Sequence, residues 1–264
     1  IFTSGSTGEP KGVNITHKAA MNTILDINNR MGIVEDDVFL MVSKFSFDLS
    51  IYDIFGCFQI GGKIVIPSDI VDPIEYIHLI NKYSITIWNS VPQIFKIFFN
   101  QVKSQVESKI GLNTVKVVLL SGDRIPANMP KEVKEVFSNA DILSLGGATE
   151  GSIWSIFYDI KNYTFNKNIP YGSPLSNQRM YVLDSCGLIC PNFVEGEIAI
   201  AGVGLATGYE NDEKLTERKF VWNKYISDRV YLTGDIGYYN KEGILEICGR
   251  KDNQVKINGN RVEL

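Results

Sequence analysis

Histidine is nearly missing from this chain, which has only His17 and His78 among its 264 residues. A metal site built from several histidines and a Ser-His-Asp relay are therefore both poorly supported. Cysteine is also scarce, and the four cysteines lack the paired spacing of metal ligands; they are Cys57, Cys186, Cys190 and Cys248. Unpaired thiols of this kind suit a reducing compartment, so we expect a cytoplasmic protein.

Positive charge is in slight deficit, with 26 Lys and Arg against 30 Asp and Glu and a net charge of −4. This balance argues against nucleic acid as the main partner. No apolar run is long enough to span a membrane, and no charged-then-apolar leader opens the chain. The chain opens inside a loop motif without methionine and stops mid-pattern at Leu264, so we expect an internal piece of a longer protein.

Apolar residues make up 44% of the chain, which is enough for a packed core in one large or two modest domains. Helical and strand patterns alternate through residues 1–172, and the β-branched runs predict a mostly parallel sheet layered with helices. From residue 173 short strands between turns predict a smaller β-rich subdomain. The predicted helices are His17–Met31, capped by Thr16, and segments starting at Asp48, Asp72-Pro73, Pro92, Asn128 and Asp212. The predicted strands are Val38–Val42, Lys63–Ile66, Ile85–Trp88, Val115–Leu120, Asp141–Leu145, Arg179–Leu183, Gly196–Ile200 and Gly243–Ile247.

A loop rich in glycine and hydroxyl groups follows the first strand residues. Glycines let backbone N–H groups approach an anion, and a terminal lysine adds charge. The Walker spacing fails because Lys11 precedes Gly12. The alternative is a flexible connector. The candidate phosphate-binding residues are Thr3, Ser4, Gly5, Ser6, Thr7, Gly8 and Lys11.

Three predicted strands end in small or polar residues: Asn89, Ser121-Gly122 and Leu145–Gly147. Ligands of open parallel sheets bind beyond the carboxyl ends of the strands, so these ends predict one shared crevice. Glu150 follows the third strand. It is either a carboxylate at a helix start or an oxygen ligand for the Mg²⁺ that accompanies nucleotide phosphates.

Asp48 lies in an aromatic and apolar stretch, and no basic residue occurs between Phe45 and Gly62. A buried carboxylate is costly unless it is paired. It is therefore either the N-cap of the next helix or the partner of a ligand cation such as an α-ammonium group. In a helix, Leu49 and Tyr52 would share its face.

The loop and five further motifs resemble, in order, those of the adenylate-forming superfamily, above all the adenylation domains of nonribosomal peptide synthetases. The motifs are Thr3–Gly12, Phe47–Ser50, Gly146–Glu150, Gly196–Ile198 through Gly208-Tyr209, Tyr231–Asp235 and Gly249–Ile257. The resemblance implies that residues up to 250 belong to the family's large subdomain. Residues 251–264 would contain the hinge, at Asp252, and the start of a truncated C-terminal subdomain. The family's catalytic lysine would lie beyond Leu264.

The resemblance also implies roles around Mg·ATP. Glu150 would bind Mg²⁺ and Thr149 the α-phosphate, with Lys11 also catalytic. Asp235 would accept hydrogen bonds from the ribose diol, although an aspartate before Gly237 also suits a turn. Arg250 would be a second ribose or phosphate contact; otherwise it is a surface arginine near a bend. Further nucleotide contacts would be Thr3–Gly8, Gly122 and Gly146. An aromatic residue that often packs on adenine is replaced here by Gly146, and the usual asparagine by Ser144.

In the same family an aspartate at position 48 holds the substrate's amino group. The positions that select the substrate are Asp48, Leu49, Tyr52, Asn89, Leu119, Ser121, Leu145, Ile153 and Trp154, which together resemble the signature of cysteine activation. They describe a tight apolar pocket closed by Trp154 and Tyr52. Taken singly, the leucines and Ile153 suit core packing equally well. The residue types alone leave serine, threonine and small aliphatic amino acids open.

The resemblance thus predicts ATP-dependent formation of an aminoacyl adenylate, most simply cysteinyl-AMP, and transfer to the phosphopantetheine of a carrier domain. A neighbouring heterocyclisation or condensation domain would be a further partner. One alternative is a ligase for acyl or aryl acids, which Asp48 opposes. Another is a catalytically silent module, which the presence of Glu150, Asp235 and Lys11 opposes.

Overall fold

The computed structural model describes residues 1–3, 10–69, 72–104, 112–162, 168–251, 254–257 and 260–263. The helices are α1 (His17–Met31), α2 (Leu49–Gln59), α3 (Pro73–Tyr83), α4 (Pro92–Ser104), α5 (Met129–Val136) and α6 (Glu213–Lys219). The strands are β1 (Phe2–Thr3), β2 (Lys11–Asn14), β3 (Val38–Met41), β4 (Lys63–Val65), β5 (Ile87–Ser90), β6 (Val117–Leu120), β7 (Asp141–Gly146), β8 (Ile156–Asp159), β9 (Ser173–Pro174), β10 (Gln178–Leu183), β11 (Gly196–Gly202), β12 (Gly208–Tyr209), β13 (Phe220–Asn223), β14 (Asp228–Tyr239), β15 (Leu245–Arg250), β16 (Gln254–Ile257) and β17 (Asn260–Glu263). Within these described segments, no helix combines the length and apolar character needed to cross a bilayer.

The chain divides into two compact units. The α/β unit comprises Ile27–Ser144 and Asp159–Ile169. The β-rich unit comprises Ile1–Asp26, Leu145–Tyr158 and Pro170–Leu264. The predicted boundaries at residues 172 and 250 stay a prediction.

The α/β unit is built on parallel strands in the order β4-β3-β5-β6-β7. Its central strands are buried along their length, as their continuous apolar sequences predict. The helices α2 to α5 each connect one strand to the next in the chain. The predicted α/β class with a mostly parallel sheet is thus confirmed.

An aromatic cluster forms much of the core of the α/β unit. Trp88 is fully buried, and its ring centroid lies 4.7 Å from that of Phe98 and 5.9 Å from that of Phe95. The indole Nε1 donates a hydrogen bond of 2.8 Å to Ser90 Oγ, so the polar atom of this large side chain is satisfied. Aromatic side chains of α4 thus pack against β5 at Trp88.

The β-rich unit contains an antiparallel sheet in the order β10-β11-β14-β13, with β15 paired to β14. A Cβ atom on Gly237 of β14 would lie 2.3 Å from the carbonyl oxygen of Glu246, so only glycine lets β14 and β15 approach here. A second sheet has the order β1-β2-β12, and β8 pairs antiparallel with β9. The predicted change to a β-rich texture is confirmed.

Several element boundaries differ from the sequence-based expectation. Strand β5 begins at Ile87 rather than Ile85, because its parallel pairing with β6 starts there, and it continues through Asn89. Strand β15 begins at Leu245 because Gly243, with a φ of +71°, belongs to the preceding turn. The predicted Thr16 cap of α1 is confirmed, since Thr16 Oγ1 accepts from the Ala19 N–H at 3.1 Å.

Candidate functional site

The predicted phosphate loop is flanked by a paired hairpin in the β-rich unit. Thr3 of β1 lies opposite Lys11 of β2 in an antiparallel pair, so the two ends of the loop are adjacent. The loop residues Ser4, Gly5, Ser6, Thr7 and Gly8 lie outside the described residues, as does Asp252. The hairpin places Lys11 at one end of the loop, as the phosphate-binding hypothesis needs.

Glu150 is a buried acid in a short 3₁₀ helix, Thr149–Gly151, directly after β7. It is 1% exposed, and its Oε1 accepts a hydrogen bond of 2.6 Å from the hydroxyl of Tyr209. Its main-chain oxygen accepts from the Ala206 N–H at 2.8 Å. Burial costs an ionised carboxylate several kcal/mol in principle, so the burial of Glu150 sets it apart from ordinary surface acids. Glu150 lies at a helix start, as one interpretation expected, and its role as a Mg²⁺ ligand stays a prediction.

Asp235 and Arg250 form an ion pair between neighbouring strands. Arg250 Nη1 lies 2.6 Å from Asp235 Oδ1, and both side chains are mostly buried. The two residues are register partners across β14 and β15. Asp235 lies within a strand and not at a turn, because β14 pairs on both sides and continues to Tyr239. Arg250 is likewise no free surface residue, because this pair holds it in the sheet.

Tyr171 occupies the space that a side chain at position 146 would need. A Cβ atom on Gly146 would lie 2.2 Å from Cε2 of Tyr171. Burial raises the pKa of the Tyr171 phenol, the Asp235 carboxylate raises it further, and Gly147 and Arg250 lower it. The aromatic ring therefore packs against Gly146, and its phenol lies within electrostatic range of Asp235 and Arg250.

The backbone after Glu150 is strained at two adjacent residues. Ser152 and Ile153 each have a φ of +66°, a region that residues other than glycine rarely adopt, and β-branched residues such as isoleucine least of all. Such residues cost about 1–3 kcal/mol each and occur preferentially at functional sites. Trp154 follows this turn, and its main-chain oxygen accepts a hydrogen bond of 3.0 Å from Gln178 Nε2. Ile153 and Trp154 are both buried.

Asp48 stands immediately before α2 in the α/β unit and is 8% exposed. It occupies the N-cap position, but its side chain makes no capping hydrogen bond to the helix, so the capping interpretation is not supported. The amino end of a helix stabilises a negative charge. Leu49 and Tyr52 are buried on the first turn, and the Tyr52 hydroxyl donates to Asn28 Oδ1 at 2.8 Å.

Asn89 of β5 is fully buried and is bound to α2. Its Nδ2 donates to Asp53 Oδ1 at 2.8 Å and lies 3.5 Å from the main-chain oxygen of Leu49. Burial raises the pKa of the Asp53 carboxyl well above its usual range, although the Asn89 amide lowers it in part. Asn89 Oδ1, Asp53 Oδ2 and Ser121 Oγ are buried and find no hydrogen-bond partner among the described residues. Each such atom costs about 1–3 kcal/mol.

The apolar candidates are all buried. They are Leu49 and Leu119 in the α/β unit, and Leu145 and Ile153 in the β-rich unit. Gly122 has a φ of +83°, and a Cβ atom there would lie 2.9 Å from Val91. Burial suits core packing and pocket lining alike, so their assignment to the substrate stays a prediction.

Sequence reasoning missed Asp53 and Tyr171 and gave no role to Tyr209. Asp53 lies next to Tyr52, but nothing in the sequence around it indicates that its side chain faces Asn89. Tyr171 lies outside all six motifs. A partial signal existed for Tyr171, because a glycine in place of an expected aromatic residue leaves room that another ring can fill.

The donor set fits a magnesium ion that arrives with a nucleotide. The described residues contain no cluster of three or more His, Cys, Asp or Glu side chains, so they form no protein-only metal cage. Mg²⁺ typically keeps its waters and binds one or two carboxylates together with substrate phosphates. The oxygen donors of Glu150 fit that requirement.

The chain is similar to peptide synthetases along its length. A family profile described as AMP-binding enzyme matches residues 1–210. The chain is 47% identical over 266 residues to bacitracin synthase 1 of Bacillus licheniformis, covering all of this chain and 5% of that protein. It is 43% identical over 267 residues to pyochelin synthetase PchF of Pseudomonas aeruginosa, covering all of this chain and 15% of that protein. It thus spans a small part of the curated relatives it matches.

Solved structures support the same relationship. The AMPPNP-bound form of the nonribosomal peptide synthetase FmoA3 matches with a TM-score of 0.88 and 35% identity, covering 96% of this chain and 27% of that one. FmoA3 was also solved with α-methyl-L-serine-AMP, and that form has a TM-score of 0.89. The structure of holo-PA1221, with adenylation and PCP domains, matches with a TM-score of 0.88 and 27% identity, covering 99% of this chain and 45% of that one.

Proposed function

We propose that this chain, which belongs to the AMP-binding enzyme family, is the core of an adenylation domain. The domain would activate an amino acid for nonribosomal peptide synthesis in the cytoplasm. A carboxylate oxygen of the amino acid attacks the α-phosphorus of ATP, and the bond to the leaving pyrophosphate breaks. The aminoacyl group then passes from AMP to the phosphopantetheine thiol of a carrier domain. The observation that carries the proposal is the family match, together with a buried Glu150 directly after the strand β7.

Most of the residues proposed to bind the nucleotide belong to the β-rich unit, and Gly122 belongs to the α/β unit. Asp235 has a carboxylate suited to a ribose diol, and Arg250 orients it through their ion pair. Thr149, Lys11 and the loop residues Thr3–Gly8 would contact the phosphates, with Gly122 and Gly146 as further contacts. Glu150 would hold Mg²⁺, which supplies charge neutralisation on the phosphates when bound. Preorganised charge and positioning would do most of the catalytic work.

The amino group of the substrate would be held by Asp48. The burial of this carboxylate and its place at the amino end of α2 support an anionic anchor for an ammonium group. A ligase for acyl or aryl acids has no use for such an anchor. The side chain of the substrate amino acid would contact the remaining specificity residues, which are Leu49, Tyr52, Asn89, Leu119, Ser121, Leu145, Ile153 and Trp154.

The favoured substrate is L-cysteine, and the favoured neighbours are a carrier domain and a heterocyclisation or condensation domain. A small, neutral side chain suits the specificity residues. The α-methyl-L-serine-AMP bound by FmoA3 supports a small side chain in a related site.

Amino-acid-dependent ATP–pyrophosphate exchange tests this function. The assay uses the chain within its full-length protein and a panel of amino acids, fatty acids and aryl acids. We expect exchange with L-cysteine to exceed that with every other acid. Greater exchange with another amino acid would remove the cysteine assignment, and exchange with only fatty or aryl acids would overturn the amino-acid proposal.

We also propose that Tyr171 stacks on the adenine base, because its ring fills the space at Gly146, the position where related adenylation domains often carry the aromatic residue that packs on adenine. Stacking of a base on an aromatic ring contributes about 1–3 kcal/mol, so Tyr171→Ala should raise the KM for ATP roughly 5- to 150-fold. The KM for the amino acid should stay unchanged, and Tyr171→Phe should behave as wild type. Tyr225→Ala, which removes an exposed ring in the same unit, is the matched control. Equal effects on both KM values would contradict the stacking role.

A further inference from the structure

Asp53 is a buried acid for which the reaction just described has no use. It is fully buried one turn into α2, and its Oδ1 accepts a hydrogen bond of 2.8 Å from Asn89 Nδ2. Its other oxygen, Oδ2, has no hydrogen-bond partner among the residues that the structure describes. Buried polar groups are nearly always hydrogen-bonded, so a carboxyl group in this position needs an explanation.

Two acceptors on α2 determine the orientation of the Asn89 amide. Leu49 and Asp53 are four residues apart and therefore share one face of α2. Asn89 Nδ2 lies 2.8 Å from Asp53 Oδ1 and 3.5 Å from the main-chain oxygen of Leu49. A main-chain carbonyl oxygen can only accept, so the NH₂ end of the amide must face the helix. The carbonyl end, Oδ1, is then directed away from these two acceptors.

The neighbouring strand end has a second buried atom without a partner. Asn89 is the register partner of Leu119, and Ser121 follows Leu119 by two residues, so all three lie on one face of the sheet. Ser121 Oγ and Asn89 Oδ1 are both buried and have no partner within the described part of the chain. Two such atoms on one sheet face indicate a ligand that completes their hydrogen bonds.

We propose that Asp53 is a positioning residue that turns the Asn89 amide so that Oδ1 accepts a hydrogen bond from the side chain of the substrate. This inference rests on the proposed amino-acid activation. It names the substrate class as amino acids whose side chain carries a hydrogen-bond donor, a thiol or a hydroxyl. A side chain of the same size without a donor leaves Oδ1 buried and unpaired, and is discriminated against.

The protonation state of Asp53 is compatible with this role. Burial raises the pKa of its carboxyl, which favours the neutral form. A neutral carboxyl still accepts at one oxygen, so the orientation of Asn89 needs no buried negative charge. The main-chain oxygen of Leu49 also favours this orientation of the Asn89 amide, whether Asp53 is neutral or ionised.

The first test compares isosteric substrates with the wild-type, full-length protein in pyrophosphate exchange. L-2-Aminobutyrate replaces the thiol of L-cysteine, or the hydroxyl of L-serine, with a methyl group of similar size. We expect kcat/KM to be about tenfold or more higher for L-cysteine than for L-2-aminobutyrate, and higher for L-serine than for L-2-aminobutyrate. Equal values within each pair overturn the inference while leaving amino-acid activation intact; no exchange with any amino acid overturns the proposed function and with it the inference.

The second test uses variants of Asp53. Asp53→Leu removes the acceptor and should reduce the ratio of kcat/KM for L-cysteine over L-2-aminobutyrate about tenfold, with the value for L-2-aminobutyrate kept within about twofold. Asp53→Asn keeps an acceptor oxygen and should keep the ratio. The matched control is Asp37→Asn, which changes a buried aspartate paired with Lys116 in the same unit and should leave the ratio unchanged.

A merely structural role for Asp53 would lower kcat/KM equally for both substrates and leave their ratio unchanged, which overturns the inference. If Asp53→Leu does not fold, the inference is judged from the substrate ratio of Asp53→Asn and from the comparison of substrates with the wild-type protein. Loss of the ratio in a folded Asp53→Asn protein would contradict the role of the acceptor oxygen.

Discussion

Asp48→Ala should abolish activation of the amino acid while leaving ATP binding nearly intact. The carboxylate is buried at the amino end of α2, and the proposed partner is the substrate ammonium group. Removing one partner of a buried ion pair costs about 3–5 kcal/mol, which corresponds to a loss of roughly a hundred- to several thousandfold in kcat/KM for the amino acid. Pyrophosphate exchange measures this loss, and calorimetry measures the binding of ATP.

Two comparisons isolate the ammonium contact. Asp36→Ala removes an exposed aspartate of the same unit and should leave exchange unchanged. 3-Mercaptopropanoate is cysteine without its amino group, and Asp48→Ala should improve its use relative to L-cysteine. Unchanged exchange rates in Asp48→Ala would refute the assignment of the ammonium group to this carboxylate.

Glu150→Gln should reduce exchange about a hundredfold or more, because it removes negative charge from a preorganised site. The glutamine oxygen can still accept from Tyr209, whose hydroxyl lies 2.6 Å from Glu150 Oε1, so the local fold should persist. We also expect the variant to need a higher Mg²⁺ concentration for half-maximal rate. Exchange rates measured across a Mg²⁺ titration test both expectations.

Glu213→Gln is the matched control for this charge change. Glu213 is exposed on the first turn of α6 in the same unit, and its loss should leave the Mg²⁺ requirement unaltered. A Glu150→Gln protein with the wild-type rate and Mg²⁺ requirement would show that this carboxylate does not bind the metal.

Much of the candidate site could be located from sequence, because its residues follow recognisable local patterns. Asp48 was identified as a candidate because it is an acid in an apolar stretch, and Glu150 because it follows a predicted strand. Asp235 was identified as a candidate from its motif, but the turn interpretation of it does not hold, because β14 continues past it with hydrogen bonds to strands on both sides. Local sequence does not encode such pairing.

The partners of these residues could not be predicted in the same way. Asp53 and Asn89 are 36 residues apart and meet at 2.8 Å, and Tyr209 reaches Glu150 from 59 residues away. Tyr171 fills the space at Gly146 from 25 positions further along the chain. Each contact depends on how distant strands and helices pack.

The amino-acid sequence alone determined the alternation of helices and strands, the change to a β-rich texture and the family to which the chain is similar. These properties follow from periodicity, turn residues and short motifs, which act over a few neighbouring residues. Only the tertiary structure decided that the Asn89 amide is held by α2, that Arg250 engages Asp235, and that an aromatic ring lies beside Gly146. Hydrogen bonds and steric exclusion act over a few ångströms in space, whatever the distance along the chain, so folding has to bring these groups together first.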